Sequence, residues 1–394
     1  MNHLAARARR FLVRTWPLLL SLALLIGTPA VLRLNRYGRV AVDASVFLPD
    51  MVLQVPYVRP VKLISSAPRR EHVTIDYESR NGPRSIEADL YIPAHGARHE
   101  GVVFSMGAPP LPLDDPRLDR VAEDAARSGV VMLVPFSERL DQDLIEPEEI
   151  DALVAEFQYV QKLPQVDPKR VGFFGASVGG SLALVAASDP RIAGEVDHVV
   201  SFGGYFDAVE TFGAIATHRI VYDGIDESWT PQQHSEDVMA EQIISRVGTT
   251  SDQDLLRQIF INGDPGAPPQ VDSLSGEGRA AYDFLANRDP SRVAELAGQL
   301  PAEAIDELNY LSPKWSIANV KAELFIIHDH ADPFIPFTQS RELKAAVGSR
   351  PNAHFDEVRI FEHVQPKLNQ RPEVLALDST RLLFRLYQLL LRWN

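Results

Sequence analysis

The sequence predicts an α/β fold: a mostly parallel, doubly wound sheet with a helical cap inserted into it. Three observations carry that prediction. Short, continuously apolar runs such as "GVVFSMG" (101–107), "VVMLVPF" (130–136), "RVGFFG" (170–175) and "DHVVSFGGYF" (197–206) read as strands buried on both faces. Segments of helical spacing separate them, so the strands pair in parallel across crossover helices. The alternation stops near Phe206, gives way to a polar stretch of helical spacing up to about Leu311, and then resumes.

At the N-terminus Arg7, Arg9, Arg10 and Arg14 precede an uncharged run, "WPLLLSLALLIGTPAVL" (16–32). The run is longer than a signal-peptide core and slightly short of the roughly 20 residues of an ideal span. "GTPA" fits a cleavage site poorly, which favours an uncleaved anchor over a cleaved signal or a buried helix. Arg33, Arg36 and Arg39 follow the run, so the charge bias toward a cytoplasmic N-terminus with an extracytoplasmic body is slight. Residues 1–39 are read as an anchor or signal segment. Residues 40–71 are read as a connector, because Pro49, Pro56 and Pro60 oppose a long regular helix.

The core begins at residue 72. "HVTIDYES" and "SIEADLYIPA" alternate apolar and polar residues around "RNGP", predicting a hairpin turning at Asn81-Gly82. "PRLDRVAEDAARSG" (116–129) has helical spacing and a terminal glycine. "EPEEIDALVAEFQYVQKL" (146–163) places acidic residues in its first turn, where the helix dipole favours them. After the insertion come a strand at 322–328, the helix "SRELKAAVG", a strand at 356–361 and a final helix, "DSTRLLFRLYQLLLRW", expected to pack on the sheet. The division is core at 72–205, cap at 206–311 and core again at 312–394.

The 394 residues are 45% hydrophobic and 23% charged, ordinary for a globular chain with a full core. A net charge of −14 argues against a general nucleic-acid binder. With no cysteine, disulfides, thiolate metal sites and a thiol nucleophile are excluded. No H-E-x-x-H or other metal pattern is visible, and "GDPGAPP" (263–269) is a turn cluster rather than a phosphate loop.

Within "RVGFFGASVGGSLALVAA", Ser177 lies between Gly175 and Gly179 where a strand becomes a helix. A serine hydroxyl needs a base to become a nucleophile, and the base needs an orienting carboxylate. The Gly-x-Ser-x-Gly bend lifts such a serine above the sheet, and the next amide, Val178 N–H, is placed to bind an oxyanion. A chance match in a chain this long is roughly a one-in-ten event, so the motif needs partners. In an open parallel sheet these lie after the carboxyl ends of strands. Asp329 and Asp332 follow one strand; Glu362 and His363 follow another. His354 precedes its strand, His328 lies at a strand end as a loop brace, His330 sits in the loop too close in sequence to Asp332 to face Ser177, and His198, His218 and His234 read as packing or surface residues.

These features resemble the α/β-hydrolase family, most of all its dienelactone-hydrolase and prolyl-oligopeptidase-like branches, over roughly residues 72–392. The elbow matches, and "IIHDHADPFIP" is similar to the family's acid loop. The resemblance implies a Ser177–His363–Asp332 triad and an oxyanion hole from Val178 and Ala108. Met106-Gly107 stands where the family has His-Gly, Asp329 replaces a loop glycine, and His363 lacks the usual preceding glycines. The implied activity is hydrolysis of a small acyl substrate, a carboxylic ester foremost, without a cofactor or metal. A peptidase, an acyltransferase and a non-catalytic membrane-tethered binding module remain open, as does the oligomeric state. The cap is expected to roof the site, with Tyr205, Phe206, Phe212, Trp229 and Phe260 as aromatic candidates.

Overall fold

The structure, a computed structural model, describes residues 31–32, 34–53, 59–96, 98–108, 112, 114–263, 271–367 and 369–393. The expected anchor at 16–32 lies outside the described residues except for its last two. Among the described residues no helix is long and apolar enough to cross a membrane. The described residues divide into two compact units, Ser66–Ser379 and a smaller one joining the described residues before Ser66 with those from Thr380 onward.

The larger unit is built on an eight-stranded sheet. Its strands are β1 (Arg69–Ser79), β2 (Gly82–Ile92), β3 (His99–Ser105), β4 (Val130–Phe136), β5 (Val166–Ala176), β6 (His198–Phe202), β9 (Glu323–Asp329) and β10 (Ala353–Val358). The spatial order is β1-β2-β4-β3-β5-β6-β9-β10. β2 runs antiparallel to both neighbours, and every other pairing is parallel. The apolar runs foreseen in the sequence form the centre: all of β3 and β6 is buried, and Val103, Val171, Phe173, Val199 and Leu324 are 0% exposed. A fully buried side chain of this size stabilises by about 1.5–3 kcal/mol.

Two strands, β7 (Arg219–Tyr222) and β8 (Ile225–Ser228), lie outside the sheet, in the insertion. They correct the all-helical expectation for the cap. Asp223 (φ 43°) and Gly224 (φ 81°) turn this short hairpin, the Asp-Gly pairing that suits two positive φ values. The first hairpin also turns one residue earlier than expected: Ser79 pairs with Gly82, so Arg80 and Asn81 make the turn and Gly82 takes φ 104°.

The helices are α1 (Arg36–Leu53), α2 (Pro116–Arg127), α3 (Glu148–Lys162), α4 (Val178–Ala186), α5 (Ala208–Thr217), α6 (Gln233–Ile244), α7 (Thr250–Phe260), α8 (Gly276–Leu285), α9 (Val293–Ala297), α10 (Ala302–Tyr310), α11 (Thr338–Val347) and α12 (Pro372–Trp393), besides single-turn segments. α3 and α4 pack on the central strands, where Phe157 stacks on Phe173 at 5.5 Å. Helices α5 to α10 form the cap around Phe212, Ile243, Ile244, Leu256 and Phe284.

The smaller unit corrects two expectations. Helix α1 occupies much of the presumed connector and carries Pro49 inside it. A proline within a helix costs about 3 kcal/mol, and burial of Val40, Ala44, Phe47 and Leu48 along one face opposes that cost. The end of α12 belongs here rather than to the sheet domain: Leu390 packs with Val40 and Ala44, with Leu383, Leu386 and Tyr387 beside them.

Candidate active site

Ser177 sits between β5 and α4 with φ 57° and ψ −135°. Such a conformation costs a non-glycine residue on the order of 1–3 kcal/mol, and the packing enforces it. A Cβ on Gly175 would lie 2.4 Å from the Gly179 carbonyl oxygen, and one on Gly179 would lie 2.2 Å from that of Ser105. Strand, turn and helix therefore approach more closely than any larger residue allows. Ser177 N–H donates to the Phe202 carbonyl (2.8 Å), holding the bend against the end of β6. Val178 N–H is a first-turn donor of α4, with no intrahelical partner to engage it. Gly107 lies against the serine, since a Cβ there would be 2.9 Å from Ser177 Cβ.

The loops after β9 and β10 bring in the other two residues. His363 Nδ1 and Asp332 Oδ2 are 2.6 Å apart, with Asp332 2% and His363 6% exposed. Asp332 Oδ1 accepts from Phe334 N–H (2.7 Å) and Ile335 N–H (3.1 Å), so both oxygens are engaged. Burial alone would raise the Asp332 pKa. The adjacent His363 charge and hydrogen bonds from His328 and His363 outweigh it and hold the carboxyl below its usual range. His363 takes φ 60°, and the Phe334 ring stacks on it at 4.7 Å.

Gly203 lies between serine and histidine. It follows Phe202, whose carbonyl holds Ser177, and a Cβ on it would sit 3.2 Å from His363 Cε1 and Nδ1. Among the described residues no hydrogen bond joins Ser177 to His363.

Rival residues are engaged elsewhere. Asp329 accepts Ala331 N–H and Phe361 N–H, each at 2.8 Å, and serves as a brace between the two loops. Burial raises its pKa to about 6, against those backbone donors. His328 Nε2 donates to the Ile335 carbonyl (3.1 Å) and lies 3.4 Å from Asp332 Oδ2. His330 binds Glu357, His354 binds Glu323 and His218 binds Glu236. His198 lies at the amino ends of the strands, where Glu100, Asp197 and His198 form a cluster that Arg170 joins through Glu100.

A cavity of about 50 Å³ opens over Ser177, Val178 and Ala108. Cap residues Phe212, Ile215 and Val238, with Phe334 from the acid loop, supply apolar walls. Two polar side chains in the wall are already bonded: Thr211 Oγ1 donates to the Asp207 carbonyl, and the Gln242 amide holds Ile145 N–H and C=O at 2.9 Å each. Of the expected aromatics, Tyr205 and Phe212 line this cavity. Trp229 Nε1–H instead donates to the Asp332 carbonyl (3.0 Å), Phe206 joins the main core, and Phe260 packs on Tyr282.

Sheet order, elbow and the sequence of loops that carry serine, acid and histidine now stand together. The fold is that of the α/β-hydrolases. No family model and no curated protein matches the chain. Solved structures do match. The Pyrococcus horikoshii acylaminoacyl peptidase shares 13% identity at a TM-score of 0.48, covering 85% of this chain and 43% of that one. The Mycobacterium tuberculosis puromycin-hydrolyzing peptidase shares 14% at 0.48, covering 86% and 41%. A hyperthermophilic esterase from the archaeon Pyrobaculum calidifontis shares 18% at 0.46, covering 84% and 88%. The chain thus spans about two-fifths of the length of the two peptidases. Likenesses of this degree assign no activity to it.

One residue of the site was missed in the sequence. His234, read there as packing or surface, lines the cavity, with its Nε2 2.8 Å from the Ala108 carbonyl oxygen. A single histidine on a polar helix carries no local signal of that role.

Proposed function

We propose that this α/β-hydrolase is a serine esterase that cleaves esters of short, uncharged carboxylic acids through an acyl-enzyme. The observation that carries the reading is the buried 2.6 Å contact of His363 with Asp332, set against the elbow of Ser177 across Gly203. With Nδ1 turned to Asp332, the other ring nitrogen is left to accept the Ser177 proton. Ser177 Oγ attacks the acyl carbon, and the Val178 and Ala108 amides receive the developing oxyanion. His363 then returns the proton to the leaving alcohol, and water repeats the cycle on the acyl-enzyme. Each oxyanion donor contributes about 2.7–4 kcal/mol in comparable sites.

The small cavity supports a short acyl group, and its largely apolar walls support an uncharged one. The test is a fluorophosphonate probe together with p-nitrophenyl esters from acetate to octanoate and an aminoacyl amide. Labelling at Ser177, loss of turnover in Ser177→Ala and preference for short esters are expected. Full activity in Ser177→Ala overturns the triad; faster cleavage of the amide overturns the ester reading in favour of a peptidase. The apolar run at 16–32 supports attachment to a membrane with the catalytic domain outside the cytoplasm; release by carbonate without detergent would overturn that placement.

A further inference from the structure

We infer that His234, contributed by the cap, is a positioning residue that holds the oxyanion loop in its working conformation; the inference rests on the serine-hydrolase reading above. Its Nε2 lies 2.8 Å from the Ala108 carbonyl oxygen. A carbonyl only accepts, so that nitrogen carries the proton and donates. The expected second oxyanion donor is the N–H of this same Ala108. The residue before it is Gly107, the residue type that least restrains its own peptide. Ser177 presses on Gly107 from one side. On the other, His234 pins the carbonyl of Ala108 and so fixes the position of the residue whose N–H is to meet the acyl oxygen.

The clamp has a rigid base. His234 stands in the first turn of α6. At the start of that helix Gln232 N–H donates to the Pro333 carbonyl (2.8 Å), in the acid loop. Near its end Gln242 grips both backbone groups of Ile145, in the loop after β4. Asp143, whose Oδ1 lies 3.6 Å from His234 Nε2, comes from that same loop. One cap helix and its leading residue thus bond to three loops around the site. The geometry makes the cap part of the catalytic frame as well as its roof.

The experiment compares wild type, His234→Ala and His234→Gln on a short activated ester. Fluorophosphonate labelling rate and inhibition by an alkylboronic acid are measured beside kcat and KM, with folding followed by circular dichroism and thermal melting. Glutamine keeps an N–H donor of similar reach but cannot transfer a proton. His234→Ala should lower kcat by about 10- to 100-fold, a part of what a lost oxyanion donor costs, with KM within about twofold. Labelling and boronate affinity should fall in parallel, since both use the same hole, and His234→Gln should recover most of the loss in a protein that melts as wild type does. A folded His234→Ala with unchanged kcat, a change in KM alone, or a His234→Gln as impaired as His234→Ala overturns the inference. A wild type that does not react with the fluorophosphonate overturns the hydrolase reading, and the inference with it.

Discussion

Asp329 Oδ2 accepts the backbone N–H of Phe361 across 2.8 Å, two residues before His363 in the chain. The bond ties the end of β9 to the turn that presents the histidine. The neighbouring carboxylate, Asp332, meets the imidazole itself. Two acids three positions apart therefore divide the work: one holds the loop, the other orients the ring.

That division predicts unequal losses. Asp332→Asn should lower kcat on the order of 10⁴-fold, because it favours the wrong imidazole tautomer. Asp329→Ala removes only a brace, and displacement of His363 should cost up to about 10²-fold. Steady-state kinetics on an activated acetate ester checks both, and equal losses would contradict the assignment.

Gly203→Ala should impair both stability and turnover. At φ 67° an alanine is strained, and its Cβ would press on the His363 ring from 3.2 Å. Strain alone costs roughly 1 kcal/mol; displacement of the histidine should reduce kcat further. Denaturant melts and kinetics on the same preparation separate the two effects. A variant with wild-type kcat would show that this glycine does not set the histidine's position.

The cavity wall predicts a change of acyl preference. Val238, from α6, lines the cavity and is 7% exposed. Val238→Ala should raise kcat/KM for hexanoate relative to acetate by several-fold, since each additional buried methylene contributes about 0.8 kcal/mol. The readout is the ratio of the two specificity constants on probe-titrated enzyme. An unchanged ratio would place the acyl chain elsewhere.

A buried carboxyl behind the site predicts a pH effect on stability. Glu149, on α3, is 8% exposed and accepts a hydrogen bond from Ser137 Oγ at 2.7 Å. Burial raises its pKa from 4.5 to about 7, against the Ser137 hydrogen bond and with the charges of Glu146 and Glu148 adding to the rise. In the folded state it therefore holds its proton over a range in which the unfolded chain has lost it. Its contribution to stability is full below about pH 4.5 and is lost as pH rises through about 7. Glu149→Gln keeps the acceptor and removes the titration. The variant should gain on wild type between pH 5 and 8, by on the order of 3 kcal/mol at the upper end. Melting temperatures across that range check the slope, and parallel curves would refute it.

The sequence by itself determined the central strands, the elbow and the place of the insertion. Those features are written in local pattern: β3 and β6 are buried on both faces and carry short apolar runs, Val102 to Phe104 and Val199 to Val200, and the Ser177 bend needs small residues on both sides within a few positions. Asp332 and His363 could be singled out as candidates because a parallel sheet gathers its loops at one edge, which narrows the search to residues just after strands. Other features were decided only in three dimensions. The helix through Pro49 depends on apolar partners near the far end of the chain, such as Leu390. The division between Asp329 and Asp332 depends on which backbone amide each carboxylate meets. His234 is the plainest case, since its partner is a carbonyl oxygen 126 positions away. A backbone carbonyl is present at every residue and leaves no mark in the sequence, so only the folded chain can say which one a side chain will reach.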